Sequence, residues 1–217
     1  MPSTMLFLAA VALSAGLALV AAARDDRPGF TLFKPVTTLI ILLGAAWLVQ
    51  PGGQPYRGLI VLGLALSLAG DILLVLPSRR FAAGLGAFLL AHVAYIAAFS
   101  VGSPLAGRQL AWLPPFLALG AALTALVWNG LGRLRVPVLI YAATISVMAW
   151  RAAVRGQGFA VPLGGSYVLA LCGACLYFAS DSVLAIRRFR RPFPAAHSIE
   201  LSAYWLAQLL IALSVRS

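Results

Sequence analysis

Residues 57–100 read RGLIVLGLALSLAGDILLVLPSRRFAAGLGAFLLAHVAYIAAFS. Two apolar runs flank the break Pro77-Ser78-Arg79-Arg80. At 1.5 Å per residue, about 20 residues of helix cross a ~30 Å hydrocarbon core, and each run has that length. Outward from this pair the pattern repeats, and apolar stretches bounded by Arg, Pro and Gly predict helices near 4–23, 32–50, 57–76, 81–100, 111–129, 135–151, 165–186 and 199–215. The chain has 217 residues, 62% apolar and 10% charged, whereas a soluble domain carries about 25% charged residues. The reading is an all-α polytopic membrane protein, a bundle of eight transmembrane helices forming one integral membrane domain over 1–217. The first run ends in Ala21-Ala22-Ala23, which looks like a signal cleavage site, but it has no basic leader and a long apolar core, so a retained helix is expected.

Sixteen basic residues face five acidic ones. In this setting the excess reads as topology signal and headgroup contact rather than nucleic-acid binding, which is excluded. The connections after the odd-numbered helices hold eleven basic residues, among them Arg79, Arg80, Arg187 and Arg188, and the other side holds five, Arg57, Arg108, Arg151, Arg155 and Arg216. The positive-inside tendency then puts both termini outside and the Arg-rich connections in the cytoplasm; an Ala-, Gly- and Arg-rich composition suggests a bacterial inner membrane. Trp47, Trp112, Trp150 and Trp205 read as interface anchors. Cys172 and Cys175 lie within one apolar run and read as helix filler. A weak four-plus-four repeat is visible: Gly70-Asp71 followed by Arg79-Arg80-Phe81 is echoed 110 residues later by Ser180-Asp181 followed by Arg187-Arg188-Phe189.

An ionisable side chain at mid-membrane costs about 2.5–3.5 kcal/mol on insertion scales, so such residues usually face an interior cavity. Of the five acids only Asp71 and Asp181 lie within predicted spans, at ~12 Å and ~9 Å from the following Arg by helical rise. Tyr141 lies ~9 Å from Arg135 on the same count, Tyr204 about one turn into the last helix, and Lys34 enters the second helix from that side. Together they predict one polar layer beneath the cytoplasmic headgroups. Gly63, Ser67 and Asp71 share a helix face, as do Gly173, Tyr177 and Asp181. His92 is placed deeper, ~16 Å beyond Phe81, as either a site member or a hydrogen-bonded core residue. Ser67, Tyr95, Tyr177 and Gln208 read as substrate contacts or as interhelical hydrogen-bond formers.

No zincin helix, phosphate loop, nucleophile elbow or dinucleotide fingerprint is present, so no cofactor and no metal are expected. Phe81-x-x-Gly84-x-x-Ala87-Phe88-x-x-Ala91-His92-x-x-Tyr95, preceded by Ser67-x-x-Gly70-Asp71 and followed by Gly173 and Ser180-Asp181, resembles the YhhN-like lysoplasmalogenase family. Lys34-Pro35, Tyr141, Met148 and Tyr204-x-x-x-Gln208 also match its pattern, from about residue 30 to the end. The resemblance implies an eight-helix membrane enzyme that hydrolyses the vinyl ether bond of a lysoplasmalogen, with Asp71 and Asp181 as catalytic pair.

The residues suit that chemistry. Vinyl ether hydrolysis delivers a proton to carbon, stabilises an oxocarbenium ion and captures it with water, work suited to two carboxyls of different proton affinity. The expected partners are membrane lipids and a lysophospholipid whose phosphate is held by Lys34 and nearby Arg. Tyr141 and Tyr204 would orient ether or water, and apolar walls around His92 and Tyr95 would take the tail. The oligomeric state is not readable. Two other classes stay open: a proton-coupled transporter using the intramembrane aspartates and a non-catalytic membrane scaffold.

Overall fold

The computed structural model describes residues 2–47, 54–76, 80–105, 107–158 and 164–216. The end of the second predicted span at 48–50, Arg79 and the side chain of Arg216 lie outside the described residues. Within them the chain forms α1 (Pro2–Ala23), α2 (Arg27–Trp47), α3 (Gln54–Val75), α4 (Phe81–Ser100), the single turn α5 (Gly107–Leu110), α6 (Leu113–Val127), α7 (Arg135–Val154), α8 (Gly164–Phe189) and α9 (Ala196–Leu213), with no strand among the described residues. Among the described residues seven helical segments, α5 and α6 counting as one, are long and apolar enough to cross a membrane. The eighth, α9, has 18 residues and is more polar because its buried face carries Glu200, Tyr204 and Gln208. The chain is a multi-pass membrane protein. Leu13, Leu43, Leu62, Leu90 and Leu119 point outward, while Lys34, Asp71, His92 and Gln208 are buried inside, the arrangement a hydrocarbon solvent favours.

Most helix boundaries differ from the sequence reading by a few residues, and two of the differences have identifiable local reasons. α2 begins at Arg27 rather than 32 because the acids before it act as caps. Asp25 takes the left-handed conformation (φ 54°), which Asp tolerates. Asp26 N–H closes α1 on the Ala21 carbonyl, and the Asp26 carboxylate accepts the Gly29 N–H at 3.1 Å, satisfying an orphan donor of α2. α6 starts at Leu113 rather than 111, with Pro114 and Pro115 in its first turn, where a missing N–H is harmless. It stops at Val127 and passes into a tight 3₁₀ turn, Trp128–Gly130. A Cβ on Gly130 would overlap the Phe189 carbonyl, so this glycine lets the turn sit directly on the end of α8.

The two halves echo each other in packing. A Cβ on Gly63 of α3 would overlap the Tyr95 ring of α4, and one on Gly173 of α8 would fall 2.9 Å from the Ala207 carbonyl of α9. Gly63 and Gly173 carry the same offset as Asp71 and Asp181, and each lets the next helix approach closely. Ser67 and Tyr177, also 110 residues apart, meet by a hydrogen bond of 3.2 Å.

The starts of α2, α4 and α9 and the ends of α3 and α8 come together at one Arg-rich end. At the opposite end several basic residues tie the fold together. Arg57 donates to the Ala46 carbonyl. Arg151 donates to the Phe99 and Ser103 carbonyls, satisfying the end of α4. Arg155 lies 3.9 Å over the Tyr56 ring. Trp47 and Trp112 are exposed as anchors should be, but Trp150 and Trp205 are buried. Trp150 donates its indole N–H to the Gln109 carbonyl at 2.9 Å, so it holds α5 against α7 instead of meeting the interface.

Candidate active site

Asp71 sits on α3 beside Gly70, whose missing side chain admits the Phe88 ring of α4; a Cβ there would lie 2.6 Å from it. The carboxylate has no exposed surface. Its Oδ2 accepts the Thr38 hydroxyl at 2.5 Å and the Tyr204 hydroxyl at 2.8 Å, and Lys34 Nζ lies 3.2 Å from Oδ1. Lys34 and Thr38 are one turn apart, so a single face of α2 supplies both. Two hydroxyl donors and an ammonium therefore surround this one carboxylate.

Asp181, on α8, is held differently. Its Oδ2 accepts the Tyr141 hydroxyl at 2.5 Å, and His92 Nε2 lies 3.7 Å from the same oxygen. No cation is paired with it among the described residues. Its side chain keeps 13% of its surface exposed, against 0% for Asp71.

Both carboxyls border one small cavity of about 20 Å³, together with Lys34, Phe88, Glu200 and Tyr204. That is room for roughly one water. Two larger spaces adjoin it. A vestibule of about 280 Å³ at the Arg-rich end is walled by Lys34, Arg187, Arg188, His197, Glu200 and Phe30. A narrow apolar groove of about 40 Å³ is lined by Leu85, Thr124, Ala142, Ile145 and Phe178, with Asp181 on its wall. Lys34 and Glu200 border both vestibule and carboxyl cavity, Asp181 borders cavity and groove, and Leu184 borders all three. The Phe81 and Phe189 rings, edge to face at 6.1 Å, stand at the groove's Arg-rich end.

The polar layer expected from sequence therefore divides into two clusters, Lys34 with Asp71 and Tyr204, and Tyr141 with Asp181 and His92, whose two carboxyls border one cavity. Ser67, Tyr95, Tyr177 and Gln208 form a separate, fully buried network. Tyr95 donates to Gln208 Oε1 at 2.7 Å, and Gln208 Nε2 donates to the Tyr177 hydroxyl at 3.3 Å. None of these four, nor His92, lines the three cavities; the apolar groove lies between α4, α6, α7 and α8. Sequence reasoning missed Thr38, whose signal is its one-turn spacing from Lys34. It also missed the site role of Glu200, which accepts Arg187 Nε at 2.8 Å and lies 2.7 Å from Nη2. Its carbonyl accepts the Ser180 hydroxyl at 2.9 Å, which fixes α9 beside Asp181. Among the described residues no three His, Cys, Asp or Glu side chains cluster as metal ligands.

The YhhN family matches residues 29–215, the segment that carries every residue of both clusters. The chain belongs to the YhhN family. An "uncharacterized membrane protein YhhN" of Shigella flexneri is 34% identical over 208 residues, covering 95% of this chain and 96% of that one. The human protein "Lysoplasmalogenase TMEM86B" is 35% identical over 191 residues, 88% of this chain and 77% of its own. A "Lysoplasmalogenase" of Mycobacterium bovis is 34% identical over 175 residues, 76% and 63% respectively. No solved structure matches the chain. The YhhN match leaves α1 and the α1–α2 turn outside; α1 is joined to the family's segment by a hydrogen bond of 2.8 Å between the hydroxyls of Ser14 and Thr37.

Proposed function

We propose that the chain hydrolyses the vinyl ether bond of a lysoplasmalogen or a closely related lysolipid, releasing a fatty aldehyde and the glycerophospho-head group. The observation that carries this reading is the junction itself: two unlike carboxyls face a space for one water, where a charged vestibule meets an apolar groove. The names of the human and mycobacterial relatives support the same substrate class. The proposed setting is a bacterial inner membrane, with both termini outside and the vestibule open toward the cytoplasmic leaflet.

In this arrangement the phosphate occupies the vestibule, facing Lys34, Arg187 and Arg188, and the ether lies at the carboxyl cavity. The tail runs into the groove, which must widen to take it. Asp181, without a paired cation, is the acid, and its proton goes to the vinyl carbon remote from the ether oxygen. The resulting oxocarbenium ion forms near the Asp71 carboxylate. Water adds to the cationic carbon and gives a proton to Asp71, forming a hemiacetal. As the hemiacetal breaks, Asp71 returns that proton to the leaving glycerol oxygen and Asp181 takes the hydroxyl proton. The aldehyde is released with both carboxyls in their starting states and one water consumed. Tyr141 and Tyr204, each donating to one carboxyl, hold the two in register.

Incubating the detergent-purified protein with alkenyl, alkyl and acyl lysolipids and analysing the products by mass spectrometry tests the reading. Aldehyde should come from the alkenyl substrate alone, because a saturated ether has no double bond to protonate and hydrolysis of an ester would release a fatty acid instead. An unchanged panel, with solute uptake into proteoliposomes, would favour a transporter instead. The groove makes a separate prediction. Ala142 lines it and is buried, so Ala142→Phe should shift preference toward shorter tails. Each excluded methylene is worth about 0.8 kcal/mol, or roughly fourfold in kcat/KM, measured with alkenyl lysolipids of graded length.

A further inference from the structure

The imidazole of His92 is buried without exposed surface, and neither ring nitrogen has a hydrogen-bond partner among the described residues. The ring stands edge-on between Tyr141 and Tyr177, with centroids at 5.0 and 4.7 Å. A phenylalanine would fill that slot without burying two unsatisfied polar atoms, so packing alone does not account for a histidine there. What the imidazole has that a phenyl lacks is Nε2, aimed at Asp181 Oδ2 from 3.7 Å. That oxygen already accepts the Tyr141 hydroxyl, so His92 approaches the same oxygen that already has a donor, in a carboxyl that also borders the cavity.

We infer that His92 is the positioning residue of the proposed acid: its Nε2–H closes on Asp181 Oδ2 when that carboxyl has given up its proton, and withdraws when the proton returns. This rests on the reading of Asp181 as acid. His92 lies outside the three cavities, so it acts through Asp181 and not on the lipid. The step balances without any further reagent, because the histidine donates a hydrogen bond and transfers no proton. An ionised Asp181 with two donors on one oxygen is a better-stabilised product of the first proton transfer, and the transition state leading to it is lowered in turn.

The test uses the full-length protein in detergent with an alkenyl lysolipid, comparing wild type, His92→Phe and His92→Gln. Glutamine places an amide N–H near the position of Nε2. His92→Phe should lower kcat about tenfold to a hundredfold with KM within twofold, while His92→Gln recovers most of kcat, and the solvent deuterium isotope effect on kcat should rise in the Phe variant as proton transfer becomes slower. Unchanged kcat in His92→Phe, or a raised KM with kcat intact, overturns the inference, the second result making His92 a wall of the substrate site. If His92→Phe fails to fold, His92→Leu and His92→Gln decide it: equal kcat in the two folded variants overturns it. Asp181→Asn separates the levels. An inactive Asp181→Asn beside a normal His92→Phe refutes the role of His92 alone, whereas a fully active Asp181→Asn refutes the acid on which it rests.

Discussion

Asp181→Asn should abolish aldehyde release from an alkenyl lysolipid while leaving the protein folded. The substitution is nearly isosteric, and its amide oxygen can still accept the Tyr141 hydroxyl that now reaches Oδ2 at 2.5 Å. No cation loses a partner among the described residues, so thermal unfolding in detergent should move little. What disappears is the transferable proton. Removing a positioned general acid typically costs about 10²–10⁴-fold in rate, and the loss should fall on kcat, because the headgroup and tail contacts proposed above lie in the vestibule and the groove, away from Asp181's proton. Product quantification by mass spectrometry, alongside a melting curve, checks both halves. A folded Asp181→Asn with wild-type turnover would remove this carboxyl from the chemistry.

The contrast between the two acids is what the sequence could not supply. Their equivalence was legible: the same offset that relates Asp71 to Asp181 relates Gly63 to Gly173, and helical rise put both acids near the same end. Their inequality depends on neighbours from other helices. Lys34 and Thr38 reach Asp71 from α2, and Tyr204 reaches it from α9, whereas among the described residues the polar partners of Asp181 are Tyr141 and His92. Only the order of packing decides which helix faces which acid. Depth counting alone could not show that His92 meets Asp181, for a geometric reason. Side chains tilt toward the N-terminus of their helix. α4 starts at the Arg-rich end and α8 finishes there, so His92 leans toward that end and Asp181 leans away, and the two meet although their Cα positions were counted a turn or more apart. The buried indoles show the same limit. A Trp near a span end has the composition of an anchor, but whether it faces lipid or a neighbouring helix is set by rotation about the helix axis. Trp47 faces out and Trp150 faces Gln109. The caps at Asp25 and Asp26 were readable in principle from the Asp-Asp pair before Arg27-Pro28.

Lys34 and Asp71 allow stability and catalysis to be separated. Lys34→Met should destabilise the fold by about 3–5 kcal/mol, because it leaves a carboxylate with no exposed surface facing only two hydroxyls. Adding Asp71→Asn to it removes the orphaned charge, and the amide oxygen can still accept Thr38 and Tyr204. The double variant should therefore be more stable than Lys34→Met alone and approach wild type, since replacing a whole buried ion pair is often nearly neutral. Activity should not follow stability. Every variant carrying Asp71→Asn lacks the negative charge proposed to stand beside the oxocarbenium ion and to take the water's proton, so the double variant should fold well and release no aldehyde. Denaturation of the four proteins of this cycle in one detergent yields the coupling energy directly, and product assays on the same samples give the other axis. If the double variant proves no more stable than Lys34→Met, the ion pair is not what holds this corner of the bundle. If it turns over, the charge on Asp71 is not needed, and a mechanism with Asp181 as both acid and base would take its place.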